Sequence, residues 1–244
     1  MIKLKLDDDV LRKIVPGATI PKFQVEDDYV VEAGGKYING LPFNVWDRRF
    51  NTIADDIAST SWLVEVPIDR HIWKTIGIFN IKDGTLYLVT SYSNFLTVQS
   101  KIKNGKYTHY MYPLTINNDD SVEQLSLDGI EISEGVAKKR LKEAKKILGD
   151  NFSRLKRTII ITYDYFEEIA VNGVEILVDN NFNIIDKLSI PEYRSPSPDD
   201  NKTKQDNKEK LIKPKTSSSI VKWNANKIKR PIAGEEENGN GISN

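Results

Sequence analysis

Residues Ile72 to Leu114 read IWKTIGIFNIKDGTLYLVTSYSNFLTVQSKIKNGKYTHYMYPL. Strand-forming runs alternate there with Lys82-Asp83-Gly84, Tyr92-Ser93-Asn94 and Lys103-Asn104-Gly105. Asp-Gly and Asn-Gly tolerate the positive φ that tight hairpins need. The spacing therefore predicts a four-stranded antiparallel meander. In its first strand Trp73, Thr75, Gly77 and Phe79 share one face, and Ile72, Lys74, Ile76 and Ile78 share the other. Both sets are largely apolar, so this strand is expected at the centre of the sheet with cover on both sides.

Downstream, Ser133 followed by EGVAKKRLKEAKKIL and Gly149 carries the N-cap, the basic last turns and the C-terminal glycine of a helix. Its apolar stripe is Val136, Ala137, Leu141, Ala144 and Leu148. Lys138, Lys139, Arg140, Lys142, Lys145 and Lys146 are expected to face water. Thr158 to Tyr163, Glu167 to Val171, Val174 to Asp179 and Phe182 to Leu188 predict a second meander, turned at Asn172-Gly173 and Asn180-Asn181.

Upstream the pattern is weaker. Lys3 to Leu6 alternates like a short strand. Asp7, Asp8 and Asp9 suit the start of a short helix that Pro16-Gly17 stops, a reading preferred to a cation loop because the run lacks a calcium loop's spacing and glycine. Phe23 to Val25, Tyr29 to Glu32 and Trp62 to Val66 read as strands, the last ending before Pro67. Asn51 to Ala58 reads as a short helix. Phe43, Val45, Trp46 and Phe50 read as core aromatics, with Asp47-Arg48-Arg49 turned to solvent; a docking surface is the other reading.

The fold class that follows is α+β, mainly antiparallel β, with meander sheets, one amphipathic basic helix and a long extended C-terminal tail. A β-rich body over 1–192, divisible at 1–120 and 121–192, precedes a polar tail at 193–244. That tail has too few apolar residues to offset its chain entropy. Charge separates along the chain. Residues 1–200 carry 25 basic and 30 acidic side chains, net −5; residues 201–230 carry ten basic against Asp206 and Glu209, net +8; Glu235, Glu236 and Glu237 make the tip acidic. Such blocks belong to interaction arms. Within the arm, residues 219–233 hold Ile220, Val221, Trp223, Ile228 and Ile232, an expected linear motif for a partner protein.

Chemistry is constrained mostly by exclusion. There are no cysteines, so disulfides, thiolate metal sites and thiol nucleophiles are ruled out. His71 and His109 are the two histidines, too few for a multi-histidine metal centre. Asp69 beside His71 has no motif that would place a nucleophile. Gly34-Gly35-Lys36 lacks the spacing of a phosphate loop. Asp164, Glu167, Glu168, Glu175 and Asp179 show no ligand spacing and read as surface carboxylates. No cofactor or metal is expected. No run approaches the ~20 apolar residues of a membrane span, and the N-terminus has no apolar signal core. The expected location is cytoplasmic or within a viral particle.

The function that fits these features is a non-enzymatic structural or adaptor component of a large protein assembly, anchored by its arm. The alternative is single-stranded nucleic-acid binding, with the basic arm tracking phosphates and Lys101, Lys103, Lys106, Tyr107, Tyr110 and Tyr112 forming a stacking hairpin. A second alternative is a carboxylate-dependent enzyme.

Overall fold

A computed structural model describes residues 4–33, 38–70, 73–118, 134–166 and 169–191. The fold class is α+β, built on a six-stranded, mostly antiparallel sheet. The first helix, α1 (Asp8–Ala18), starts where Asp7 accepts the Val10 N–H at 3.2 Å, which makes the aspartate run a cap. It passes through Pro16, which in the last turn costs only one intrahelical bond. Gly17 lies directly against α3 (Leu41–Ala58), where an added Cβ would come within 2.6 Å of the Ile53 side chain. Lys3 to Leu6 is not a strand over its described residues; the Leu4 N–H is bonded instead to Asp186.

Between these helices, the strands expected at Phe23–Val25 and Tyr29–Glu32 are one helix, α2 (Lys22–Ala33). Val25 and Tyr29, four apart, pack on Leu41 and Val45 of α3, and this tertiary contact overrides their β propensity. The helix expected at Asn51 begins ten residues earlier, with Pro42 in its first turn.

The strands are β1 (Leu63–Arg70), β2 (Trp73–Asn80), β3 (Thr85–Ser91), β4 (Arg157–Phe166), β5 (Ile169–Val178) and β6 (Ile184–Ser189), in that spatial order. β1 continues through Pro67 because it is an edge strand, where a missing donor is tolerated. The Lys82–Gly84 hairpin forms as expected, with Gly84 at φ 76°.

The other two hairpins of the expected meander do not form. Ser91 caps α4 (Tyr92–Lys103), and Asn104-Gly105 closes it, with Gly105 at φ 75°. Asn-Gly supplies positive φ to a helix C-terminus as readily as to a hairpin. Phe95, Val98 and Ile102 are the buried, helically spaced positions. The short helix α5 (Met111–Leu114) and α6 (Glu134–Leu148) follow.

The chain therefore returns to the sheet by a crossover, and β3 and β4 pair in parallel from Thr85↔Arg157 to Ser91↔Tyr163. One sheet crosses residue 120. Asn172-Gly173 is also not a turn. Two residues there oppose Tyr163 alone, a bulge in which Asn172 has φ 52° and the Tyr163 ring lies where a Gly173 side chain would be.

Helices cover both faces. α1 and α3 pack on Ile76, Ile78, Tyr87, Val89, Ile159, Ile161 and Leu177. α4, α5 and α6 pack on Val66, Phe79, Leu86, Leu88, Ile160 and Ile176. Arg140, expected in water, is buried under α6, with Nε donating to Tyr112 O at 3.0 Å and Nη2 to Thr115 Oγ1 at 3.1 Å.

Candidate functional site

The site with the most chemistry lies where the sheet splits. β2 and β3 pair from Asn80↔Thr85 only as far as Gly77↔Leu88. Beyond that, β2 stays with β1 to Trp73↔Arg70, and β3 stays with β4 to Ser91↔Tyr163. The strands part, and the fork holds a cleft of about 320 Å³. Trp73 and Thr75 line it from β2, and Val89, Thr90 and Ser91 from β3. Trp46 and Phe50 of α3, Asn94 of α4, and His109 and Tyr110 complete the wall. A second, more open depression shares Ser91 and includes Tyr163, Asp164 and Tyr165. Both lie at the carboxyl ends of the parallel pair, the position where open mixed sheets with helical cover hold their ligands.

Each wall residue is set by its neighbours. Trp46 stacks on Phe50 at 5.4 Å and meets the edge of Tyr165 at 5.7 Å. Arg49, expected in solvent, is buried behind them. It donates twice to Ile20 O, at 3.1 and 2.8 Å, and sits 3.9 Å from the Tyr165 ring. Burial pushes its pKa down, against the pull of Tyr165. Tyr165 Oη donates to Ala18 O at 3.0 Å, so this latch ties the end of α1 to α3 and β4.

On the opposite wall, Ser91 Oγ accepts the Asn94 N–H at 3.1 Å and lies 3.2 Å from Ser93 Oγ. Asn94 Nδ2 donates to Thr90 Oγ1 at 2.8 Å. The first turn of α4 thus begins at the cleft, with the positive end of its dipole there. His109 Nδ1 accepts the Met111 N–H at 3.4 Å, and the His109 and Tyr110 rings are 4.5 Å apart. Thr75 is 3% exposed, and its hydroxyl has no partner among the described residues. Aromatic walls, hydroxyl and amide groups and a helix N-terminus suit a planar, polar ligand.

Residues 3–238 match the model of a family described as a family of unknown function, DUF5986. The chain belongs to that family. No curated protein and no solved structure matches it. The match takes in the body and nearly all of the arm.

Because residues 92–103 form a helix, the expected nucleic-acid residues do not share a hairpin. Lys101 and Lys103 are exposed on its last turn and Lys106 follows it. Tyr107 stacks on Tyr112 at 4.8 Å, and Tyr112 is buried under Arg140, 3.9 Å from its ring. Burial pushes the Tyr112 phenol up, and Arg140 pulls it down. Of the three tyrosines, Tyr110 alone lines the cleft.

Ile220, Val221, Trp223, Ile228 and Ile232, together with Gly34-Gly35-Lys36 and His71, lie outside the described residues. Among the described residues no three His, Asp or Glu converge as metal ligands, and no helix is long and apolar enough to cross a membrane. Glu175, read as a surface carboxylate, is fully buried in β5. Its setting in Val174-Glu175-Ile176-Leu177-Val178 was the available signal, since a lone charge in an apolar run marks a doubly covered strand. Trp73, Thr75, Ser91 and Asn94 had no such signal, because only the end of a register brings them together.

Proposed function

We propose that the protein is a non-enzymatic structural or adaptor component of a larger protein assembly, such as a virion or comparable particle, held by its C-terminal arm and by the outer face of α2. The observation that carries this reading is a concentration of exposed apolar side chains. Phe23, Val30, Val31, Ile38 and Phe43 are all exposed on α2, on the start of α3 and beside it, with Val31 82% and Phe23 51% accessible. Soluble monomers rarely gather large apolar side chains in this way unless something covers them. Glu26, Asp27, Asp28 and Glu32 accompany them on α2. The complementary partner is a protein subunit offering an apolar surface with a basic rim. The family match through the arm supports treating the arm as part of the working unit. The place of action is the cytoplasm or the particle itself.

The test is the mass of the native complex by light scattering, after purification from the cells that make it. The intact chain should run as a complex of fixed stoichiometry. Phe23→Glu with Val31→Glu should release it while the far-ultraviolet spectrum is unchanged, and deletion of residues 195–244 should release it while the remaining chain still unfolds cooperatively. A native chain found as a free monomer overturns the reading.

A further inference from the structure

We propose that the fork between β2 and β3 is a binding site for a nucleoside 5′-monophosphate group, with the base between the parted strands and the phosphate at the start of α4. This is independent of the assembly reading. Four features at the fork converge on that ligand.

The first is the fork itself. Past Gly77↔Leu88 the facing edges of Trp73–Ile76 and Val89–Ser91 are no longer bonded to each other. Strand edges that part inside a sheet present donors and acceptors that need partners. A nucleobase has a planar edge carrying both.

The second is the wall. Trp46, Phe50, Trp73 and Tyr110 bring aromatic surface to a cleft of about 320 Å³, a volume suited to one nucleotide and too small for a folded partner. Base-on-aromatic stacking tolerates any base.

The third is Thr75. Its hydroxyl is buried at the cleft without a partner. A buried orphan hydroxyl destabilises the protein unless a ligand or a water meets it. A base edge or ribose hydroxyl supplies the missing partner.

The fourth is the anion end. α4 is 12 residues long and begins at the cleft, with Ser91 as its cap and Ser93 in its first turn. Helix N-termini with serine hydroxyls receive phosphate through backbone N–H groups and the dipole. Ser91 lines the cleft, and Ser93, whose hydroxyl is 3.2 Å from that of Ser91, lines the adjoining depression, so a phosphate at the helix start is within reach of both.

The experiment uses the full chain, titrated with AMP, GMP, CMP and UMP. Binding is read by quenching of tryptophan fluorescence and by calorimetry. At least one monophosphate should bind saturably, and its parent nucleoside should bind about tenfold more weakly, because the charged hydrogen bonds are lost. Thr75→Val keeps the shape and removes the hydroxyl; it should weaken binding about tenfold while melting no lower than the parent. Ser93→Glu places a carboxylate at the anion end on an exposed position. It should weaken the monophosphate about tenfold and leave the nucleoside unchanged. A 5′-phosphorylated pentanucleotide separates the two sources. Tighter binding than the monomer assigns the end of a strand, and binding of the monomer alone assigns a free nucleotide. No quenching by any of the four monophosphates or by the pentanucleotide at millimolar concentration overturns the proposal, and so does full monophosphate binding by either variant.

Discussion

Asn118 and Glu175 are buried to nearly the same degree, at 4% and 0% exposure, on either side of the β4–β5 pair. They spend that burial in opposite ways. Asn118, just after α5, donates through Nδ2 to Thr158 O at 3.0 Å and Val178 O at 2.7 Å, and its Oδ1 accepts the Thr158 N–H at 2.7 Å. It clamps the crossover to the start of β4 and the end of β5. Glu175 sits opposite Ile161 and Leu188, and neither carboxylate oxygen has a partner among the described residues. A buried polar group stabilises when every valence is met and costs when none is. The first region is therefore a joint, and the second is a stored cost that titrates.

The joint gives the largest expected effect. Asn118→Ala leaves the Thr158 N–H and the carbonyls of Thr158 and Val178 without their side-chain partner. At about 1 kcal/mol or more for each group, stability should fall by about 3–5 kcal/mol in urea denaturation. A loss under about 1 kcal/mol would mean the clamp is dispensable and the contrast with Glu175 false.

Glu175 gives the next. Burial pushes its pKa from 4.5 up to about 7, with Arg157 pulling down and Asp7 pushing up. Its folded-state pKa is thus above its unfolded one. The stability this protonated group allows is complete below pH 4.5 and is lost as pH rises towards about 7, because the unfolded chain ionises first. The full change is about 3 kcal/mol. Glu175→Gln carries no such titration. Relative to the parent it should gain about that amount between pH 4.5 and pH 8, and parallel stability profiles for the two proteins would remove Glu175 as the source.

The same contrast marks what was legible in the sequence. Local signals suffice where one neighbour decides the outcome: the Asp83-Gly84 turn, the Asp7 cap, the run Thr158 to Tyr163, the helix closed by Gly149. They fail where the same residues serve two geometries. Asn104-Gly105 ends a helix and Asn172-Gly173 makes a bulge, yet both look like hairpins. The parallel pairing of β3 with β4 has no local signature, since it depends on a crossover from Ser91 to Arg157. Arg49 and Arg140 are buried against expectation, because a charge reads as exposed until its carbonyl partners, Ile20 and Tyr112, are known. At the candidate site Tyr110, expected on a stacking hairpin, lines the cleft from the segment before α5. The fork itself has no signature in the sequence, because it is defined by where pairing stops.

Tyr163 sharpens the comparison at its smallest scale. Its ring fills the space over Gly173, and its hydroxyl is buried without a partner, on the same face as Glu175. Burial pushes the phenol's pKa up, and the nearby Tyr165 and Glu175 push it further. Removing a tyrosine hydroxyl ordinarily costs a hydrogen bond. Here Tyr163→Phe keeps the ring over the bulge and removes only an unsatisfied group, so stability should hold or rise by up to about 1 kcal/mol. A loss of about 1 kcal/mol in thermal or urea unfolding would show that the hydroxyl is paired in solution. The stored cost would then rest on Glu175 alone, whereas a gain in Tyr163→Phe together with the flattened profile of Glu175→Gln would locate it in both residues.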